Sequence, residues 1–89
     1  ANGLPRGEAE LRSQLKRAAL SISLNIAEAS GKLTEKDRKH VHSIARGSAM
    51  ECGAVLDALE DLGFCERARL AEGHDLIVRI VAMLTRMSR

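Results

Sequence analysis

Residues 11–32, "LRSQLKRAALSISLNIAEASGK", decide the fold class of this chain. Their main apolar side chains recur at spacings of four, three, four and four residues, which defines one face of a helix: Leu11, Leu15, Ala18, Ile22 and Ile26. We predict a long helix over residues 8–29, a lead-in over residues 1–7 and a turn at the following "SGKLT".

Two further helices are predicted after that turn. Thr34 is a good N-cap for a helix over residues 35–62, and Asp37 takes the place of the glutamate in a capping box. Gly63 is expected to end this helix as a C-terminal cap, and a third helix is predicted over residues 66–87. Their apolar stripes are Val41, Ile44, Ala45, Ser48, Cys52, Val55, Leu56, Leu59 and Leu62 on helix two, and Leu70, Ile77, Ile80, Val81 and Leu84 on helix three.

The composition fits an all-helical globular domain. The 89 residues are 45% apolar and 29% charged, and no segment shows the period-two alternation of a half-buried strand. Short turns between long helices favour antiparallel neighbours, so residues 1–89 are predicted to form a single domain, an all-α antiparallel up-and-down helical bundle. Phe64 is the one aromatic residue, so the chain lacks the stacking platforms of RNA-recognition modules, and any nucleic-acid contact is expected to be electrostatic.

Helices one and two carry more apolar and small faces than a three-helix bundle needs. The residues of these second faces are Leu20, Leu24 and Ala27 on helix one, and Ser43, Gly47, Met50, Ala54 and Ala58 on helix two. A glycine inside a helix lowers stability by about 1 kcal/mol relative to alanine, so Gly47 suggests that space is needed there. Either a fourth helix of the same chain or other subunits cover these faces, and the sequence leaves both alternatives open.

Two polar residues interrupt the end of helix one. Asn25 lies at the edge of the main stripe and Glu28 lies further round the helix. Both are expected to accept hydrogen bonds from another helix, because an unpaired buried polar group costs several kcal/mol. The predicted donors are Arg17, Arg46 and Ser48. We interpret these polar residues as groups that fix helix register rather than as a ligand site.

No arrangement in the sequence predicts catalysis or a metal site. His40 and His42 are two positions apart and point about 200° apart on a helix, so they are interpreted as solvated residues rather than ligands of one ion. Cys52 lies on the apolar stripe and Cys65 in a turn, which is typical of reduced thiols in a cytosolic protein. We expect a cytoplasmic protein without enzyme activity, cofactor, metal or membrane span.

The net charge of +2 hides a separation of charge along the molecule. In an antiparallel arrangement, residues 30–46 and 79–89 share one end, with eight basic and two acidic residues, a net charge of +6. Residues 1–11 and 57–75 share the other end, with three basic and eight acidic residues, a net charge of −5. The basic end is the expected contact for phosphate groups, and a merely solvated end is the alternative. The predicted nucleic-acid-binding residues are Lys32, Lys36, Arg38, Lys39, Arg46, Arg79 and Arg86.

Three segments together carry a resemblance to a known family. They are "LPRGEAELRSQLKRAALSISLNIAEASGK" at residues 4–32, "IARGSAMEC" at 44–52 and "DLGF" at 61–64. The chain resembles the bacterial four-helix-bundle family of 23S ribosomal RNA intervening-sequence proteins, which also contains accessory proteins of diversity-generating retroelements. The resemblance implies that the three helices here correspond to helices two to four of a four-helix unit. It also implies a homopentameric, barrel-like assembly with no known catalysis, and retroelement-linked members bind nucleic acid and a reverse transcriptase.

These observations favour a non-enzymatic, homo-oligomeric helical-bundle scaffold or accessory protein. It is expected to bind RNA or DNA without sequence preference through the basic end, and a reverse transcriptase or another protein is a further candidate partner. The alternative is a structural protein–protein interaction module with no nucleic-acid role. An enzyme would require a polar pocket with perturbed titratable groups, which the sequence does not predict.

Overall fold

A computed structural model describes residues 6–89 and contains three long helices. They are α1, Arg6–Ser30; α2, Glu35–Asp61; and α3, Arg67–Ser88. The all-α prediction is confirmed, since the described residues contain no strand, and each predicted helix end is within two residues of the observed one. Residues 6 and 7 belong to α1 rather than to the lead-in, and the rest of the predicted lead-in lies outside the described residues.

Both predicted caps of α2 are present. The Thr34 hydroxyl accepts a hydrogen bond from the backbone N–H of Asp37 at 3.1 Å, which satisfies one of the free donors of the first turn. At the other end, Gly63 has a positive φ of 70°, which a side chain would strain. Gly63 N–H donates to Glu60 O at 3.0 Å and Phe64 N–H to Leu59 O at 2.9 Å. This is a Schellman motif, and it ends α2 at the predicted place.

The helices run up and down with α2 in the middle. Ser21 of α1 contacts Ser48 of α2, and Arg46 of α2 contacts Thr85 of α3. Within residues 6–89, no Cα atom of α1 lies within 8 Å of a Cα atom of α3. The Cα atoms span 48 × 25 × 13 Å, so the helices form a thin layer one helix deep. A layer of this kind leaves a broad face on each side of α2.

The core lies along the two contacts that α2 makes. One cluster of buried residues joins all three helices, and a second lies nearer the α2–α3 turn. Their members are Ala18, Ile22, Ala45, Ala49, Cys52 and Leu84 in the first, and Val55, Leu56, Leu59 and Leu70 in the second. The predicted stripes therefore supply most of the core.

Two residues of helix two that are predicted to lie in the core are exposed instead. Ile44 is 46% exposed, and Leu62 is 57% exposed. The neighbouring helices contact α2 on the side of Ala45 and Cys52, and one residue step turns Ile44 about 100° away from Ala45. Leu62 lies beyond the last helical residue, where no neighbouring helix covers it. Ala49, which the predicted stripe omits, is fully buried instead.

Candidate functional site

The basic end is built from the α1–α2 turn, the first turns of α2 and the last turns of α3. Arg38 Nη1 donates to the carbonyl of Lys32 at 3.1 Å and so ties the start of α2 to the turn. Arg46 Nε donates to Thr85 Oγ1 at 2.7 Å, and that hydroxyl donates to Val81 O at 2.7 Å. Both arginines are half-buried, so they hold the end together as well as supplying charge.

Three of the predicted phosphate-binding cations form ion pairs one helical turn away. Lys32 lies 3.4 Å from Glu28, Lys39 lies 3.6 Å from Glu35, and Arg79 lies 2.9 Å from Asp75. Solvent-exposed ion pairs of this kind stabilise the folded state by about 0–1 kcal/mol. Because the pairs are this weak, an incoming phosphate can replace the carboxylate. Glu28 and Asp75 lie outside the two segments whose charges sum to +6, so they lower the positive field further, whereas Glu35 is already included in that sum.

The cations differ in their position along the molecule. Arg46 of α2 lies level with Thr85 of α3, and Asp57 of α2 lies level with His74 of α3. This antiparallel register places Arg79 level with the middle of α2 rather than at its basic end. Lys36 and Arg86 are exposed at the basic end, and neither forms an ion pair within residues 6–89. These two side chains are the ones most available to a phosphate group.

The polar residues at the end of α1 bind differently from the prediction. Asn25 Nδ2 donates to the carbonyl of Ser21 at 2.8 Å and to its hydroxyl at 3.1 Å, within the same helix. The Ser21 hydroxyl lies 2.7 Å from Ser48 Oγ on α2, so Asn25 reaches α2 only through Ser21. Glu28 pairs with Lys32 on the surface, and Arg46 binds α3 instead. The prediction that α2 donates hydrogen bonds directly to Asn25 and Glu28 is therefore wrong.

The two histidines of α2 have different environments. His40 is exposed, as predicted, whereas His42 is buried and its Nδ1 has no hydrogen-bond partner among the described residues. The solvated interpretation is therefore wrong for His42. His42 lies about 60° round α2 from Ala45, on the side that faces α3. The sequence alone does not indicate which side of α2 is covered by α3.

The second faces of helices one and two are uncovered within the described chain. Leu20 and Leu24 are 58% and 59% exposed, and with the exposed Ala27 they form the outer edge of α1, turned away from α2. We call the exposed residues Ser43, Gly47, Met50 and Ala54 the back face of α2. This face lies about 170° round the helix from Cys52 and Leu56. Ala58 is half-buried at the end of the same stripe.

A hollow of about 580 Å³ runs beside the back face, between α2 and α3. Its walls are mainly aliphatic, with Met50 and Ala54 on α2 and Val78 and Ala82 on α3. On the opposite face of the layer, a second hollow of about 330 Å³ lies between α1 and α3, with Cys52 and Leu56 on its floor. Apolar surfaces of this extent are typical of protein–protein contacts.

The cysteines show no sign of nucleophilic chemistry. Cys52 is buried in the core, and burial raises the pKa of its thiol, with the Glu51 carboxylate raising it further. A raised pKa keeps the thiol protonated and unreactive. Cys65 is a free thiol, half-buried beside Phe64 in the α2–α3 turn.

Sequence reasoning missed contacts whose partners lie far apart in the chain. Arg12 binds the buried Glu8 at 3.2 Å and also donates to Phe64 O at 3.1 Å, which fastens the start of α1 to the α2–α3 turn. His74 Nε2 on α3 lies 3.0 Å from Asp57 Oδ1 on α2. A helical-wheel comparison of α2 with α3 in antiparallel register could have found the His74 contact.

The family model described as 23S rRNA-intervening sequence protein matches residues 2–86. No curated protein matches the chain significantly, and no solved structure does so either. Among residues 6–89, no helix has the length and apolar character needed to cross a membrane.

Proposed function

The chain belongs to the 23S rRNA-intervening sequence protein family, and from that premise we propose that it is a non-enzymatic helical scaffold that assembles with copies of itself. The observation that carries this proposal is the uncovered apolar surface of the three-helix layer. Leu20 and Leu24 lie on the outer edge of α1, and Met50 and Ala54 lie on the back face of α2. Burying a leucine side chain contributes about 1.5–3 kcal/mol, so covering these residues favours association.

Gly47 supports the same proposal. A Cβ added there would meet no atom within 4 Å beyond its chain neighbours and the nearby backbone of its own helix, so no contact within the described chain requires a glycine. A glycine inside a helix nevertheless costs about 1 kcal/mol relative to alanine. A second copy that approaches the α2 backbone closely at this point would account for the residue. The exposed Ser43 and Ala54 on the same face are also small enough to permit such an approach.

The positions of the two surfaces favour a ring. The outer edge of α1 and the back face of α2 are different surfaces, so a contact between one of each is heterologous. Heterologous contacts form a ring where the rotation between neighbouring copies closes and an open filament where it does not, and the pentamer that the family resemblance implies is the closed case. Both cysteines are free thiols, which suits the reducing cytoplasm in which we place the protein.

The test is the variant Ala54→Arg, examined by size-exclusion chromatography with light scattering. Ala54 is exposed, so the protomer accommodates the arginine, whereas a covered back face would bury its charge. We expect an oligomeric wild type and a variant that shifts to the 9.7 kDa protomer with unchanged helical content. The matched control, Ala68→Arg, places the same side chain at an exposed site at the other end of the molecule and should leave the mass unchanged. A monomeric wild type at micromolar concentration contradicts the proposal.

A second function, sequence-independent binding of RNA or DNA, is supported by a separate observation. Lys36 and Arg86 are exposed cations without ion pairs among residues 6–89. Lys36 lies in the first turn of α2, where the positive end of the helix dipole adds to the attraction for phosphate. In a ring, the basic ends of all copies would fall on one rim, and their fields would add.

Charge reversal tests this second function. Lys36→Glu with Lys39→Glu should weaken binding to all nucleic-acid sequences alike and flatten the salt dependence, because phosphate contacts release counterions. Lys36 and Lys39 lie in the first two turns of α2, where acidic residues suit the helix dipole, and the Lys39–Glu35 pair that is lost is solvent-exposed, so the fold is retained. Arg67→Glu with Arg69→Glu, at the acidic end, is the matched control and should have little effect. If wild type retards no nucleic acid at about 50 mM salt, or if both pairs behave alike, the protein–protein module is favoured. A reverse transcriptase would then be the first partner to test.

A further inference from the structure

A cluster of three metal-ligating side chains joins α2 to α3 near the acidic end. Asp57 and Glu60 are three residues apart on α2, so both project from the same side of that helix. His74 comes from α3 and faces them, with its Nε2 3.0 Å from Asp57 Oδ1. One ligand atom from each residue can be chosen so that all three lie within 4.8 Å of one another.

The separations fit the coordination sphere of one metal ion. Two ligand atoms about 2.1 Å from one ion are about 3.4 Å apart at a tetrahedral angle and about 3.0 Å apart at the right angle of an octahedral site. The imidazole nitrogen and the Asp57 oxygen are already at the shorter of these separations. The remaining separations, at most 4.8 Å, can be shortened by rotation of the Glu60 side chain, which is exposed.

The local charge favours a cation. Residues 57–75 contain six acidic residues and two arginines, a net charge of −4. Arg67 lies beside the cluster, in the hollow that Glu60 and His74 also line, yet it forms no ion pair within 4.0 Å with any residue of the described range 6–89. Its charge therefore opposes cation binding without occupying the carboxylates.

We propose that Asp57, Glu60 and His74 bind a divalent transition-metal ion of the Zn²⁺ class, with water completing the coordination. One imidazole with two carboxylates suits zinc, cobalt or nickel, whereas sites for Mg²⁺ and Ca²⁺ are built from oxygen ligands alone. Because the ligands come from two helices, the bound ion holds α2 against α3. Asp57 and His74 also line the hollow beside the back face, although none of the three ligands belongs to the back face or to the basic end. The site is tested by metal binding and not by oligomer mass, so it stands or falls separately from the proposed function.

The experiment titrates the full chain with Zn²⁺ by calorimetry and follows the thermal unfolding midpoint. We expect saturable binding of one ion per chain and a midpoint that rises with Zn²⁺ concentration, since the folded state alone holds the three ligands together. His74→Gln and Asp57→Asn should each weaken binding at least about tenfold. Arg67→Gln should tighten it, because it removes the opposing charge.

The controls address the other ligands of this chain. His40→Gln removes an exposed histidine at the opposite end of α2 and should leave Zn²⁺ affinity unchanged. Co²⁺ provides a spectroscopic probe, since nitrogen and oxygen ligands give only weak visible bands, whereas a thiolate gives intense charge-transfer absorption. Such absorption would assign the metal to a cysteine and overturn the proposal. It is equally overturned if Zn²⁺ leaves the wild-type midpoint unchanged, or if His74→Gln binds as tightly as wild type.

Discussion

The two sides of α2 show how similar residues reach opposite environments. Its front side, formed by Ala45, Ala49, Cys52, Leu56 and Leu59, is buried between α1 and α3. Its back face is formed by Ser43, Gly47, Met50 and Ala54, and it is exposed. Both sides are small or apolar and free of charge, so composition does not separate them. The side from which the neighbouring helices approach decides which one is core.

The back face therefore has the composition of a core surface, yet no helix of the described chain covers it. A solvated helix face normally carries charged residues, which keep apolar patches small. Here the charged residues of α2 lie mainly at its two ends, and its middle is nearly uncharged on two opposite sides. Substitutions on the two sides should therefore differ in their effect on the free energy of unfolding, in dilute solution where the protomer is the main species.

The largest difference is expected when a large side chain is shortened on each side. Leu59 is 2% exposed, so Leu59→Ala leaves a cavity and should lower the free energy of unfolding by about 2–5 kcal/mol. Met50→Ala on the exposed back face should change it by less than about 0.5 kcal/mol. Urea titrations of both variants provide the measurement. Equal losses would mean that the back face is as well packed as the front side.

A smaller difference is expected when the two sides are enlarged. Ala49 is fully buried against the neighbouring helices, so Ala49→Leu should destabilise the protein by about 1–3 kcal/mol through overpacking. Ala54→Leu adds the same atoms to the exposed side and should be nearly neutral in the dilute protomer. Thermal melts at several protein concentrations check this. A penalty for Ala54→Leu that grows with concentration would show that copies of the chain pack tightly there.

Replacing a glycine on α2 or α3 by alanine should raise the stability of the protomer rather than lower it. Gly47→Ala meets open space and should stabilise the protomer by about 0.5–1 kcal/mol through helix propensity. Gly73→Ala on α3 is the matched control, because its new Cβ would lie 3.2 Å from Leu56 Cδ1 on the front side, and the gain should be smaller. Denaturant midpoints compare the two variants. A destabilising Gly47→Ala in dilute solution would contradict the open environment of the back face.

The smallest effect is expected from the Cys52 thiol on the front side. Burial raises its pKa in the folded state, so the unfolded chain loses this proton first as pH rises. The stabilisation is fully present below the ordinary thiol pKa of about 8.5 and is lost as pH rises through the raised pKa of the folded state. Unfolding measured from about pH 7 to pH 10 should show a decline that Cys65→Ala retains and Cys52→Ala reduces. Alkylation should modify Cys65 before Cys52, and the reverse order would refute the assignment.

The sequence predicted the local features well because they depend on neighbouring residues. The N-cap at Thr34 and the Gly63 turn follow from backbone donors and acceptors that only a few adjacent residues can satisfy. The stripe containing Ala45, Cys52 and Leu59 follows from the helical period. These interactions operate within one or two helical turns, so the chain order contains them directly.

The errors concern residues at the margins of the stripes. Ile44 and Leu62 belong to the helical period yet are exposed, whereas His42 is buried although it is polar. Whether such residues are covered depends on the angle at which another helix approaches, which the period of one helix does not contain. Asn25 was expected to bind across the helix interface, but a carbonyl of its own helix lies closer. Local hydrogen bonds of asparagine compete with long-range ones.

The amino-acid sequence was enough to predict three helices, their ends, their main apolar stripes and the separation of charge between the two ends of the molecule. The tertiary structure alone put α2 in the middle of a thin layer, set Arg79 level with the middle of α2, and brought Asp57 and Glu60 of α2 together with His74 of α3. The two groups of features differ in the distance along the chain over which the stabilising interactions act. Helix formation and capping are satisfied within a few residues, whereas a layer, an ion pair between helices and a ligand cluster require a register between helices that no single helix encodes.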